Sequence, residues 1–68
     1  MLGSEIRKAR QKAGLTQEEL AFRADVSRNY ISMLELEQKS PTVQTLIKVT
    51  EALGVRASQL IAKIEKTK

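Results

Sequence analysis

Four side chains whose chemistry suits the edges of base pairs lie within one short segment of the chain: Arg28, Asn29, Ser32 and Met33. Arginine can pair bidentately with guanine and asparagine with adenine, and an apolar side chain can touch a thymine methyl group. On a helix these positions face one side, while Ile31 and Leu34 face the other. The segment therefore predicts a helix that packs on a core and presents base-reading groups to a nucleic acid. The alternatives are an ordinary solvated face and, for Met33, a gap-filling role.

Two short helices separated by a tight turn are predicted around this segment. Thr16 and Glu19 have the spacing of a capping box, which starts the first helix. After a break at Asp25, Ser27 can cap the second. The arrangement spans about residues 16–35 and is that of a helix-turn-helix, whose second helix lies in the DNA major groove and reads base edges near its N-terminus.

Three more helices complete the predicted architecture. Ser4 can cap a first helix that runs to about Lys12, and Gly14 provides the left-handed residue at its end. Pro41 keeps the segment after the helix-turn-helix in a loop. No strand pattern occurs, and we expect an all-α, compact five-helix domain that occupies residues 1–68.

The fourth and fifth helices follow this loop. Thr42 caps the fourth helix and Gly54 ends it. Its apolar residues recur at helical spacing: Val43, Leu46, Val49 and Leu53. The fifth helix is expected over about residues 57–65, where apolar residues recur in the same way: Ala57, Leu60, Ile61 and Ile64.

The fifth helix has more apolar residues than one domain needs. Leu60 is the best candidate to close the core, which leaves Ile61 and Ile64 as an exposed apolar stripe. These three residues form the predicted interface of a homodimer, with a fully intramolecular role as the alternative.

The composition excludes several function classes. The chain contains neither Cys nor His, so disulfides, thiolate or imidazole metal sites and the usual nucleophile and base pairs are excluded. We expect no cofactor, no metal and no small-molecule ligand. Neighbouring carboxylates, Glu18 with Glu19 and Glu35 with Glu37, do not share a helical face, so an enzyme is the weakest function class.

The charge balance favours a partner that carries phosphates. The net charge is +4 over 68 residues, and the sequence pI is about 9.8. No apolar run approaches the length that spans a membrane, and the first residues lack a signal-peptide core. We therefore expect a cytoplasmic protein with no membrane partner.

A set of residues in fixed order and spacing extends over most of the chain. It comprises Ile6-Arg7 with Arg10, residues 14–21, Val26-Ser27-Arg28, Ile31-Ser32, Glu35, Pro41-Thr42 and Ala52-Leu53-Gly54-Val55. In these residues the chain resembles the Cro and lambda-repressor-like, XRE-type family of helix-turn-helix regulators. The resemblance implies a lambda-repressor-like fold and binding to double-stranded DNA. Residues 20–24 and 28–32 look most like the controller proteins of restriction-modification systems, which are small dimeric regulators of their own operons.

The resemblance also implies roles for individual residues. Gln17, at the first position of the second helix, matches the usual phosphate clamp, and the alternative is an ordinary surface glutamine. Arg10 and Glu35 match a partly buried ion pair that holds the recognition helix at a fixed angle. Helix four of the family lies along the DNA backbone. The complete set of predicted phosphate contacts is Gln17, Ser27, Tyr30, Lys39, Ser40 and Gln44.

The chain departs from the family pattern at two places. Leu36 and Glu37 stand where the family commonly has a polar or basic residue followed by glycine. Glu37 places a negative charge close to the expected path of the phosphates, which opposes backbone contacts from this loop. Asp25 replaces the usual glycine of the turn, although aspartate tolerates a positive φ better than most residues.

These observations predict a sequence-specific DNA-binding transcription regulator. We expect it to act as a homodimer on an inverted-repeat operator and to regulate its own operon. The alternative is an antitoxin-like protein-interaction module in which DNA binding is secondary, and only the Ile61 and Ile64 surface favours it.

Overall fold

Five helices make up the part of the chain that the structure describes, which is residues 2–66, with side chains described to residue 62. In this computed structural model they are α1 (Leu2–Lys12), α2 (Gln17–Ala24), α3 (Arg28–Glu35), α4 (Val43–Leu53) and α5 (Ala57–Lys66). No strand occurs within residues 2–66. The all-α prediction and the five predicted helices are therefore confirmed.

Side-chain caps start α2, α3 and α4. The amide of Glu19 donates to Thr16 Oγ1 at 3.0 Å, and the amide of Thr16 donates to Glu19 Oε1 at 2.9 Å, which completes the capping box. Ser27 and Thr42 each accept a hydrogen bond from the backbone amide three residues later. Each cap satisfies an amide that has no acceptor within its own helix, and all three predicted caps are confirmed.

The first helix begins earlier than its predicted start. Because α1 starts at Leu2, Ser4 lies inside the helix, and its predicted role as an N-cap is wrong. The additional turn packs Leu2 against the core and buries Gly3 against the C-terminal end of α3. Tertiary packing of this turn outweighs the local preference of serine for a cap position.

One apolar core is shared by the five helices. Its buried members are Ile6, Leu15, Leu20, Ala21, Ala24, Ile31, Leu34, Val49, Leu53 and Leu60. Leu60 closes the core from α5, as predicted. The helical spacing of α4 does not bring Val43 into this core, since Val43 lies in the first turn, beside the exposed loop, and is 75% exposed.

Helix α3 is positioned by two neighbours. It packs against α1 and α2, and α2 packs in turn against α4. The remaining side of α3 is open to solvent. Within residues 2–66 no helix has the length and apolar character needed to cross a bilayer.

Candidate nucleic-acid interface

The predicted base-reading residues lie on the open side of α3. Arg28 and Asn29, in its first turn, are exposed, and Ser32 and Met33 are partly exposed one turn later. The first turn contains no acidic residue, so the positive end of the helix dipole stands uncompensated beside the arginine. The hydroxyl of Ser27 accepts a bond from the helix backbone and keeps its own proton to donate. Base contact by this surface stays a prediction.

A left-handed residue makes the turn between α2 and α3 tight. Asp25 has φ 58° and ψ 45°, and its amide donates to the carbonyl oxygen of Phe22 at 3.3 Å. The amide of Val26 then donates to the carbonyl oxygen of Ala21 at 3.0 Å. Aspartate occupies this backbone region at lower cost than most residues, so it can replace the glycine of the family pattern.

Arg10 and Glu35 form the ion pair that the resemblance implies. Arg10 Nε donates to Glu35 Oε2 at 2.7 Å, and Arg10 Nη2 donates to Glu35 Oε1 at 3.1 Å. A third bond runs from Arg10 Nη1 to the carbonyl oxygen of Leu15 at 2.9 Å. The side chains of Arg10 and Glu35 are only 13% and 3% exposed. Breaking one side of such a buried pair costs about 3–5 kcal/mol, so the pair fixes α3 relative to α1.

Gln17 turns its side chain toward this ion pair. It occupies the first position of α2 and is partly buried, and its Nε2 donates to Glu35 Oε1 at 3.2 Å. Gln17 lies at an open surface notch of about 200 Å³. The residues that line this notch are Arg7, Arg10, Gln17, Ser32, Glu35 and Leu36. Contact of Gln17 with a phosphate stays a prediction.

Arg7 is a cation at this notch to which the sequence analysis gave no role in binding. It is exposed and lies about one helical turn before Arg10 on α1. The spacing of Arg7 and Arg10 could have indicated this position from the sequence, because residues three apart on a helix share a face.

Lys39 lies over the ring of Tyr30. The distance from Lys39 Nζ to the ring centroid is 5.3 Å, which is a cation–π contact. Both residues were predicted phosphate contacts, but no local spacing rule pairs a loop lysine with a helix tyrosine. Ser40 and Gln44, the other two predicted contacts of this region, are exposed. The loop thus brings a cation to the side of α3.

Glu37 takes the left-handed backbone that the family pattern assigns to glycine. Its φ is 61°, and the preceding Leu36 is 61% exposed. A left-handed conformation costs a residue with a Cβ atom about 1–2 kcal/mol. The chain therefore keeps the turn of the family pattern and also carries a carboxylate there, whose effect on backbone contacts stays a prediction.

The described part of α5 offers one large apolar residue to a partner. Ile61 is 43% exposed, whereas Leu60 is 2% exposed and has little surface left for an interface. Ile64 lies outside the residues whose side chains are described. The dimer interface stays a prediction, and Ile61 is its main described member.

The sequence pattern also gave no role to Phe22, which is 87% exposed on α2. The inward-facing residues of the same helix are Leu20, Ala21 and Ala24. Their spacing could have indicated from the sequence that Phe22 lies on the outer face. A phenylalanine exposed to this extent contributes nothing to the core.

Residues 6–60 match the family described as helix-turn-helix. The chain belongs to this helix-turn-helix family. The HTH-type transcriptional regulator y4dJ of Sinorhizobium fredii is 39% identical over 67 residues, which cover 98% of this chain and 87% of the relative. Some other relatives are longer, and the chain spans about half of their length or less.

Solved structures show the same helix-turn-helix fold. The restriction-modification controller protein C.AhdI from Aeromonas hydrophila has a TM-score of 0.85 and 30% identity, over 87% of this chain and 89% of that chain. The biofilm regulator SinR, in complex with DNA, has a TM-score of 0.85 and 34% identity, over 90% of this chain and 98% of that chain. The resemblance to regulators of this family, controller proteins included, is confirmed. This helix-turn-helix family consists of regulatory DNA-binding proteins and not of enzymes.

Proposed function

We propose that this helix-turn-helix protein is a sequence-specific transcription regulator that binds double-stranded DNA as a homodimer on an inverted-repeat operator. The observation that carries the proposal is the open, cationic face of α3, with Arg28 and Asn29 in its first turn. The bidentate bonds between Arg10 and Glu35 hold the C-terminal end of this helix against α1. Base readout needs such rigidity, because a recognition group displaced by about 1 Å loses its hydrogen-bond geometry.

The residues around α3 support contacts with the DNA backbone. Gln17 and Arg7 lie at the notch on one side of the helix, and Lys39 lies beside Tyr30 at another. Amides, phenols and cations are the groups that bind phosphate oxygens, and such contacts set the register of a protein on the duplex. The two groups of residues would guide α3 into the major groove between them.

A homodimer would solve the problem of site selection. One helix-turn-helix reads only a few base pairs, which is too little to distinguish one site among the competing sites of a genome. Two copies related by a two-fold axis, with recognition helices about 34 Å apart, would read adjacent major grooves. The exposed Ile61 on α5 supports an interface between them. The resemblance to controller proteins supports the proposal that the protein regulates its own operon.

Selection from a randomised duplex library tests the proposal. The enriched sequences should contain an inverted repeat with half-sites about one helical turn apart. The same repeat should occur upstream of the protein's own gene. In a gel-shift titration, the logarithm of the association constant should fall linearly with the logarithm of salt concentration, with a slope of about −0.9 per phosphate contacted. A library with no enriched sequence, or binding that does not respond to salt, would overturn the proposal.

A further inference from the structure

The carboxylate of Glu35 is shared by side chains from two other helices. Arg10 on α1 donates to both of its oxygens, at 2.7 and 3.1 Å. Gln17 is the first residue of α2, and its Nε2 donates a hydrogen bond to Glu35 Oε1 at 3.2 Å. This is the carboxylate oxygen that has the longer bond to Arg10. Helices α1, α2 and α3 are thus joined at one carboxylate.

The chemistry of this cluster fixes the orientation of the Gln17 amide. An ionised carboxylate only accepts hydrogen bonds, so the NH₂ group of Gln17 must face Glu35 and its carbonyl oxygen must face away. The NH₂ group has two N–H bonds, of which Glu35 uses one. The second N–H can therefore donate to an anion at the N-terminus of α2.

Arg10 makes the carboxylate compatible with an anion nearby. An unpaired carboxylate beside a phosphate would repel it. Two bonds from the guanidinium compensate the charge of Glu35, which is 3% exposed. The ion pair can thus accept the hydrogen bond from Gln17 without adding a net negative charge to the surface.

We infer that Glu35 is a positioning residue for DNA backbone binding, in addition to its part in the ion pair. It orients the amide of Gln17 so that the second N–H donates to a phosphate, although Glu35 itself does not touch DNA. The inference rests on the proposed function and identifies Glu35 as a residue on which phosphate binding by Gln17 depends. Because Glu35 is the last residue of α3, the phosphate contact and the recognition helix are held in one fixed relation.

A double-mutant experiment tests whether the contribution of Gln17 to binding depends on the Glu35 carboxylate. The paired replacement Arg10→Met with Glu35→Leu removes both charges at once, so no charge is left buried without a partner. Gln17→Ala is then introduced into the wild-type protein and into this paired variant. The affinity for a mixed-sequence duplex of about 30 base pairs, roughly three helical turns, is measured by fluorescence anisotropy, because a phosphate contact does not depend on base sequence.

The two backgrounds should respond differently to the loss of Gln17. In the wild-type protein Gln17→Ala should weaken binding about fivefold to tenfold, the range for one hydrogen bond. In the paired variant the same substitution should weaken binding by less than about twofold. Equal losses in both backgrounds would overturn the inference while the proposed function stands. A wild-type protein that does not bind the duplex would overturn the proposed function, and this inference with it.

A control pair tests whether any ion pair of α1 has this effect. Lys8 and Glu5 lie 3.6 Å apart on the same helix and have no bond to Gln17. In the variant with Lys8→Met and Glu5→Leu, the loss caused by Gln17→Ala should equal that in the wild-type protein. A reduced loss in this control would show that the effect does not depend on the Glu35 carboxylate, and would overturn the inference.

Nuclear magnetic resonance tests the orientation without DNA. The side-chain amide signals of Gln17 should shift, and their proton exchange should accelerate, when the acceptor is removed in the paired variant. Glu35→Gln serves as a second variant if the paired one does not fold, because its amide no longer dictates which end of Gln17 faces it. Unchanged Gln17 signals in a folded variant would overturn the inference.

Discussion

Gly3 on α1 lies directly against the backbone of Glu35 at the end of α3. A Cβ atom at Gly3 would stand 2.8 Å from the carbonyl oxygen of Glu35 and would also meet the carbonyl oxygen of Leu34. Real Cβ atoms do not approach backbone oxygens so closely. Glu35 therefore contacts α1 at two points. Its carboxylate binds Arg10, and its backbone packs against Gly3.

Replacement of Gly3 should weaken the fold. Gly3→Ala adds the atom that meets two backbone oxygens, and we expect the free energy of unfolding to fall by about 1–3 kcal/mol, as for other overpacked sites. The higher helix propensity of alanine offsets only part of this loss. Urea denaturation followed by circular dichroism measures it. Gln11→Ala, at an exposed site of the same helix, should change stability by less than about 0.5 kcal/mol. An undiminished stability of Gly3→Ala would show that α1 can shift away from α3.

The capping box should make stability depend on pH. The hydrogen bonds that Glu19 makes with the backbone and then the side chain of Thr16 hold its pKa below the ordinary value of 4.5, and Arg23 adds to this effect. A carboxyl whose pKa is lowered by folding stabilises the protein above the unfolded pKa and loses this contribution as pH falls through the folded one.

Glu19→Gln isolates that contribution. Glutamine can replace glutamate in a capping box but does not titrate. The difference in Tm between the wild-type protein and Glu19→Gln should be constant at neutral pH. As pH falls below about 4.5, the Tm of the wild-type protein should decrease relative to that of Glu19→Gln, because only the wild-type protein loses the contribution of an ionised Glu19. A difference that is independent of pH would show that Glu19 titrates alike in both states.

Arg28 should determine sequence preference. Arg28→Ala should weaken binding to the selected operator by about 1–3 kcal/mol and relax the preference at one base pair of each half-site. Gln17→Ala should weaken all sequences alike, because a phosphate carries no base information. Arg23→Ala, an exposed arginine on α2, is the matched control and should leave the preference intact. If Arg28→Ala selects the same sequences from the randomised library, Arg28 does not read bases.

Ile61 should be needed for dimer formation. Ile61→Asp places a charge in the predicted interface and should shift the monomer–dimer equilibrium at least about tenfold toward the monomer. Operator affinity should fall with it, while the helical circular dichroism spectrum is retained. Ile47→Asp is the matched control, since Ile47 is 45% exposed and Ile61 is 43% exposed. Sedimentation decides: a dimeric Ile61→Asp protein places the interface elsewhere, and an unfolded one assigns Ile61 to the core.

Glu37 should weaken both stability and DNA binding, for different reasons. Glu37→Gln removes the charge and keeps the left-handed backbone, whereas Glu37→Gly removes both penalties. Both variants should bind a mixed-sequence duplex more tightly, because a negative charge near the phosphates is lost. Glu37→Gly should also exceed Glu37→Gln in stability by up to about 1 kcal/mol. Affinities equal to that of the wild-type protein would place Glu37 away from DNA.

The sequence by itself determined the features that depend on neighbours three or four residues away. The caps at Thr16, Ser27 and Thr42 bond to amides within the same turn, and the left-handed ends at Gly14 and Gly54 need no distant contact. The inward face of each helix follows from its period, apart from Val43 in the first turn of α4. These local rules, with the resemblance to a known family, predicted five helices and the open face of α3.

Only the tertiary structure decided how the helices meet. Gly3 reads as a poor helix residue, yet the helix extends through it because α3 approaches closely there. Gln17 shares the carboxylate of Glu35, which lies 18 residues further along the chain. Neither contact leaves a periodic signal, since each depends on the angle and distance between two helices. These quantities are set by the packing of the whole core, so they become visible only when the helices are assembled.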